Sequence, residues 1–173
     1  DLRDSVRAAR SAQEPWASRT AYNRGQILYR IAEMMEARRE EFIAVLESTG
    51  KTNKEAVRQV EDAIERWVWY AGWADKIHHV LGTVNPVAGP YFNFTMPEPT
   101  GVVGVVASEE PALLGLVSRL APIIVSGNTA VVVVDAEAGL AAVTLAEVLA
   151  TSDLPGGVVN LLTGDKHELL PWM

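Results

Sequence analysis

Cysteine is absent from all 173 residues, which excludes disulfides, thiolate metal sites and covalent catalysis through sulfur within them. Positive charge is scarce: 15 Lys and Arg stand against 22 Asp and Glu, a formal net charge of -7. Nucleic acid is held mainly by cations that neutralise phosphates, so this balance argues against it as a partner. Long apolar runs are missing too. The densest stretches, 101–107, 113–125 and 131–134, are broken by Gly, Pro or charge before the ~20 residues of a membrane helix, and no membrane span is expected. Residues 1–10 lack the basic-then-apolar order of a secretory signal, so the cytoplasm is the expected compartment. Nucleotide fingerprints are incomplete. A phosphate loop needs Gly five places before its Gly-Lys pair, and Val45 stands there ahead of Gly50-Lys51. Gly101 and Gly104 lie inside a strand pattern and do not open a helix, so no G-x-G-x-x-G turn is formed.

What is present suits a globular core: 49% of residues are hydrophobic and 21% charged. Up to about Leu81 the pattern is helical. Ile27, Ile31, Met34 and Met35, continued by Phe42, Val45 and Leu46, recur at three- and four-residue spacing. They predict one helix running through 22–46, capped by Ser18 or Thr20 and stopped at Ser48-Thr49-Gly50. A second helix starts near Thr52 or Asn53 and buries Val57, Val60, Ile64, Trp67, Val68 and Ala71, and Gly82 closes the helical region. The prolines at 86, 90, 97 and 99 forbid helix in the next segment, which reads as a loop with an extended edge strand.

From residue 101 the order becomes strand, helix, strand, helix, strand: 101–107, 113–126, 129–134, 140–149 and 158–162. That alternation builds a parallel sheet with helical crossovers. The first strand is expected to be buried on both faces. The fold class is therefore α/β, N-terminal helices followed by a Rossmann-like parallel β-α-β sheet. The expected divisions are a helical region at 1–82, an extended oligomerisation-type segment at 83–100, and a partial coenzyme-side domain at 101–173.

Few residues suggest chemistry of their own. His78 and His79 are adjacent and diverge by about a hundred degrees on a helix, so they read as surface residues and not as a metal pair. His167, among Asp165, Lys166 and Glu168, has no nucleophile placed beside it. Lys51 reads as a solvated residue past a helix end. Trp67, Trp69, Tyr70 and Trp73 read as core or subunit contacts. Asn93-Phe94-Thr95 matches a glycosylation acceptor, a coincidence without an export signal. Glu109 and Glu110 follow a strand's C-terminal end, where α/β sheets place ligands. They serve either as acid and base, if their environments separate their pKa values, or as solvated carboxylates near a helix N-terminus.

Four stretches together resemble the aldehyde dehydrogenase superfamily over essentially the whole chain. They are Trp16 with the helices leading to Ser48-Thr49-Gly50-Lys51; Tyr70-Ala71-Gly72-Trp73-Ala74, which is similar to the family's next helix; Pro99-Thr100-Gly101-Val102-Val103-Gly104-Val105-Val106-Ala107; and Leu120-Ala121-Pro122 through Gly127-Asn128-Thr129 to Leu154-Pro155-Gly156-Gly157-Val158-Val159-Asn160 and Thr163-Gly164. The resemblance implies an incomplete aldehyde dehydrogenase-like fold, with the coenzyme cleft along Val105, Ala107, Ser108 and Val133.

The departures bear on function. The family's Pro-Trp-Asn-Phe-Pro, whose Asn donates to the oxyanion of the thiolate adduct, corresponds here to Ser108, Glu109, Glu110, Pro111 and Ala112. Glu110 thus replaces a donor with an acceptor. Loss of one oxyanion donor costs ~3 to 4 kcal/mol of transition-state stabilisation. The family's Lys-Pro-Ser-Glu, whose Lys and Glu hold the adenosine ribose, corresponds to Val133, Val134, Asp135 and Ala136, and a valine offers a hydroxyl nothing. The resemblance puts the coenzyme turn, the Glu base and the nucleophilic Cys beyond Met173. No catalytic residue is therefore expected here. Cofactor binding is not expected for this chain, and NAD or NADP is implied if a larger parent is active. The expected role is a non-catalytic, assembling domain; the alternative is part of an NAD(P)-dependent aldehyde dehydrogenase. The expected partner is another copy, through an edge strand resembling the family's oligomerisation segment at 91–98, or the remainder of a larger dehydrogenase.

Overall fold

The computed structural model describes residues 1–107 and 110–169. Helices α1 (Leu2–Ala17), α2 (Ala21–Ala37), α3 (Arg39–Ser48), α4 (Asn53–Ala71) and α5 (Ile77–Leu81) come first. A short antiparallel hairpin follows, β1 (Thr83–Asn85) with β2 (Asn93–Thr95). Then β3 (Val102–Val106), α6 (Ala112–Val125), β4 (Thr129–Val134), α7 (Gly139–Thr151) and β5 (Val159–Thr163) alternate, and α8 (Lys166–Leu169) ends the described chain. The three strands form a parallel sheet in the order β3-β4-β5, the crossover arrangement that the alternation predicts.

Local chemistry sets the boundaries. Thr20, not Ser18, caps α2 by accepting from the Asn23 amide. Thr52 opens α4 with a reciprocal capping box: its side chain accepts from the Glu55 amide, and the Glu55 carboxylate accepts from the Thr52 amide at 2.9 Å. Gly82 closes α5. Thr52→Ala is expected to destabilise the protein by about 1 kcal/mol, read as a lower urea midpoint. Hydrogen bonds from the Thr52 side chain and backbone hold the Glu55 carboxyl below its ordinary 4.5. A depressed folded pKa stabilises above the unfolded value and loses that contribution as pH falls through the folded one. The difference between wild type and Thr52→Ala should therefore be full above pH 4.5 and shrink below it.

Three expectations need correction. The single helix expected over 22–46 is broken at Arg38 (φ -108°, ψ 20°). The Arg38 guanidinium grips Glu41 in two hydrogen bonds, Nε to Oε2 at 2.6 Å and a second to Oε1 at 2.7 Å, and also binds Glu147 of α7 at 2.6 Å. Those bonds raise the Arg38 pKa and hold the Glu41 carboxyl down. The buried face of α4 is rotated from the expected one: Ala56, Gln59, Val60, Ala63, Trp67 and Ala71 are buried, whereas Val68 is exposed. Strand β3 is not buried on both faces. Gly104 and Val106 on one face are exposed, whereas Val105 and Ala107 on the other are buried in the main core.

β4 is buried throughout and has two distinct sides. Ala130, Val132 and Val134 join the main core with α6 and α7, while Val131 packs with Leu2 and Ala9 of α1, against Val102 and Leu162. Thr129 adds a hydrogen bond from its hydroxyl to the Ala9 carbonyl at 3.1 Å. α1 lies so close to the turn before β5 that a Cβ at Gly157 (φ +87°) would sit 2.8 Å from the Ala8 carbonyl oxygen, a place only glycine fills.

The helical layer grips α6 at its C-terminal end. The Trp16 indole N–H donates to the Ile124 carbonyl at 2.9 Å, and Arg24 Nε donates to the Val125 carbonyl at 3.1 Å. These are carbonyls that an ending helix leaves without partners, and the guanidinium also suits the helix's negative pole. A second Arg24 nitrogen donates to the Ala17 carbonyl at 3.1 Å and to that of Arg19. Burial lowers the Arg24 pKa.

Candidate functional site

The C-terminal ends of β3, β4 and β5 open onto one edge of the sheet, the position where parallel α/β sheets hold ligands. The edge is joined by backbone bonds: the Ala107 amide donates to the Val133 carbonyl at 2.9 Å, and the Gly164 amide to the Val134 carbonyl at 3.1 Å. Register pairs Val106 with Val133 and Val133 with Leu162.

The expected cleft residues do not share a face. Val105 and Ala107 point into the main core and are buried. Val133 lies on the opposite side of the sheet, in the α1 direction, with 0% exposure, while its register neighbour Val106 is exposed. Ser108 lies outside the described residues, as does Glu109. Asp135, just past β4, accepts from the Ala136 amide at 2.8 Å to start a single 3-10 turn, Ala136–Ala138, and pairs with Lys166 at 3.4 Å. Asp135 and Lys166 are thus engaged with each other, and the side chains of Val133 and Ala136 offer no polar group.

Glu110 is exposed, and its carboxylate meets the Lys51 ammonium at 2.5 Å. Lys51 is therefore ion-paired across 59 residues of chain and is not merely solvated. Pro111 precedes α6 without a side-chain cap. The cap comes instead from α4: the Gln59 side-chain oxygen accepts from the Leu113 amide at 2.8 Å and from that of Leu114 at 3.4 Å. Sequence reasoning missed Gln59. Its only trace is a polar residue on the apolar face of a helix, between Ala56 and Ala63.

Elsewhere, His78 and His79 are exposed, and the His78 ring nitrogen contacts the Pro97 carbonyl at 3.0 Å. His167 is exposed on α8. Trp67 is fully buried, whereas Trp69 is exposed and packs against Tyr70 and Trp73. The hairpin leaves Tyr91, Phe92 and Phe94 exposed. Among the described residues no helix is long and apolar enough to cross a membrane.

The comparisons with known proteins agree with this architecture. The model of the "Aldehyde dehydrogenase family" matches residues 1–172. The chain belongs to the aldehyde dehydrogenase family. Relatives of this aldehyde dehydrogenase-family chain include retinal dehydrogenase 2 of Gallus gallus, 36% identical over 170 residues, which are 95% of this chain and 32% of the relative. Omega-crystallin of Enteroctopus dofleini is 34% identical over 169 residues, 95% of this chain and 33% of its own. Among solved structures, an NAD-dependent benzaldehyde dehydrogenase from Corynebacterium glutamicum superposes with a TM-score of 0.89 at 27% identity, covering 97% of this chain and 36% of that one. The NAD+ complex of an aldehyde dehydrogenase from Bacillus cereus gives 0.85 at 30%, covering 95% and 34%. The chain matches the N-terminal portion of these proteins and spans about a third of the length of the curated relatives it matches.

Proposed function

We propose that this aldehyde dehydrogenase-family chain is a non-catalytic, assembling unit whose inherited cleft no longer supports thiol-based aldehyde oxidation. The observation that carries this reading is the Lys51–Glu110 ion pair at 2.5 Å. At the position where the resemblance implies an amide donor for an oxyanion stands a carboxylate already neutralised by its own lysine. A carboxylate cannot donate, and placing developing negative charge beside it is unfavourable. Val133 supports the same reading, because the described residues do not fit the ribose contacts that the family resemblance implies there. Thiolate chemistry within these residues is excluded by the lack of cysteine.

Calorimetric titration with NAD and with NADP is the test: no binding heat at micromolar dinucleotide is expected, and a clear micromolar isotherm would defeat the reading. The assembling half of the proposal rests on the exposed aromatics Tyr91, Phe92 and Phe94 along a two-stranded hairpin, an edge suited to pairing with another chain. Self-association is expected in light scattering, with a mass that rises with concentration; a monomeric mass at every concentration would remove that half.

A second reading is favoured by the share of the relatives' length that the chain spans: part of an NAD(P)-dependent oxidoreductase acting on aldehydes. It requires a Cys nucleophile and Glu base supplied by residues other than these. Dehydrogenase activity of a longer parent protein toward an aldehyde would establish it. The acid-base reading finds Glu110 already engaged by Lys51.

A further inference from the structure

We infer that Gln59 is a positioning residue for the cleft: it holds the start of α6, and with it Glu110, within reach of Lys51. The inference deepens the proposed function and rests on that reading for the importance of Glu110, but its geometry stands alone.

Helix α6 begins without a cap of its own. Its first amides would need water or a side chain, and Pro111 offers neither a hydroxyl nor a carboxamide. Gln59 supplies the missing acceptor from another helix, 54 residues away in sequence from Leu113. Gln59 is only 8% exposed and Leu113 is fully buried, so the Leu113 amide has no ready solvent partner if the oxygen is withdrawn. Lys51 stands just before the Thr52 cap of the same α4. The leading end of α4 therefore contacts the start of α6 at two levels, a buried carboxamide on Leu113 and Leu114 and a partly exposed ammonium on Glu110, three residues earlier.

The two contacts differ in strength. An exposed ion pair contributes about 0–1 kcal/mol and pays the entropy of two long side chains, so Lys51 alone does not fix the turn. The buried carboxamide does, because losing it strands the buried Leu113 amide without an acceptor. The order of dependence follows: Gln59 sets the backbone, and the Lys51–Glu110 pair forms on the backbone so placed. At the far end of α6, Trp16 and Arg24 hold the last carbonyls. Helix α6 is thus held by the helical layer at both its ends.

The experiment compares wild type, Gln59→Leu and Gln59→Glu by amide hydrogen exchange and by NMR of the lysine ammonium. In Gln59→Leu, the Leu113 amide should exchange at least about tenfold faster relative to the Val132 amide in β4, and the NMR contact between the Lys51 ammonium and Glu110 should be lost. Gln59→Glu keeps an acceptor oxygen at a helix start and should restore both. A general loss of stability would speed Leu113 and Val132 together and would not discriminate between Leu and Glu. Unchanged relative exchange and an intact Lys51–Glu110 contact in Gln59→Leu would overturn the inference. Should that variant fail to fold, Gln59→Glu alone decides: Leu113 exchange as slow as or slower than wild type supports it, and faster exchange overturns it. Lys51→Met should leave Leu113 exchange unchanged, whereas quickening there would reverse the order of dependence. Dinucleotide binding by the wild type would remove the proposed function while leaving this result standing.

Discussion

Arg24→Leu is expected to lower the unfolding free energy by about 3 kcal/mol, since hydrogen bonds from a charged donor contribute ~1.5–3 kcal/mol each and those of one side chain are not additive. For a chain of this size that corresponds to a fall in melting temperature of roughly 6–12 °C. The reason is where the guanidinium sits. It is 7% exposed and bonds the carbonyls of Ala17, Arg19 and Val125, tying the α1–α2 turn to the end of α6. Leucine fills much of the space but leaves those carbonyls without their donor. Arg24→Lys should recover less than half of the loss, because a single ammonium cannot serve divergent acceptors as a planar fork does. A urea midpoint for Arg24→Leu within experimental error of wild type would show that these bonds are replaced by water.

Val133→Lys carries the second large effect, a loss of about 3–5 kcal/mol. It reinstates the residue type that the family resemblance implies at this position, so a simple expectation would have it restore function. The structure predicts otherwise. Val133 is on the central strand with 0% exposure, and an ammonium there surrenders hydration worth several kcal/mol. Val106→Lys is the control. It is the register partner on β3 and is exposed, so a lysine keeps its charge in water and should change stability by no more than about 0.5 kcal/mol. Equal urea midpoints for the two lysine variants would refute the claim that the sheet has closed around a hydrocarbon at residue 133.

Features that depend on neighbours in sequence are legible in the sequence itself. The helix start near Thr52 or Asn53, Gly82 after an apolar helix, and the strand at 129–134 each carry their own cause within a few residues. What escaped was tertiary. The break at Arg38 depends in part on Glu147, which arrives from α7. The rotated face of α4 reflects Gln59, a polar side chain drawn inward by the two amides at the start of α6. Lys51 reads as solvated until the fold brings Glu110 to it from 59 residues away. The same division runs through the site. Glu110 and Val133 stand out as departures from a family pattern, but their partners, and the opposed sides of the sheet on which Val105 and Val133 lie, follow only from strand register.

The contact between α1 and the sheet has a practical corollary. Leu2 and Ala9 shield Val131, and Gly157 receives the α1 backbone with no space to spare. Trimming the protein to its alternating strand-helix half would therefore hydrate an aliphatic stripe that nothing else shelters among the described residues. Such a truncated product should clump rather than remain dispersed.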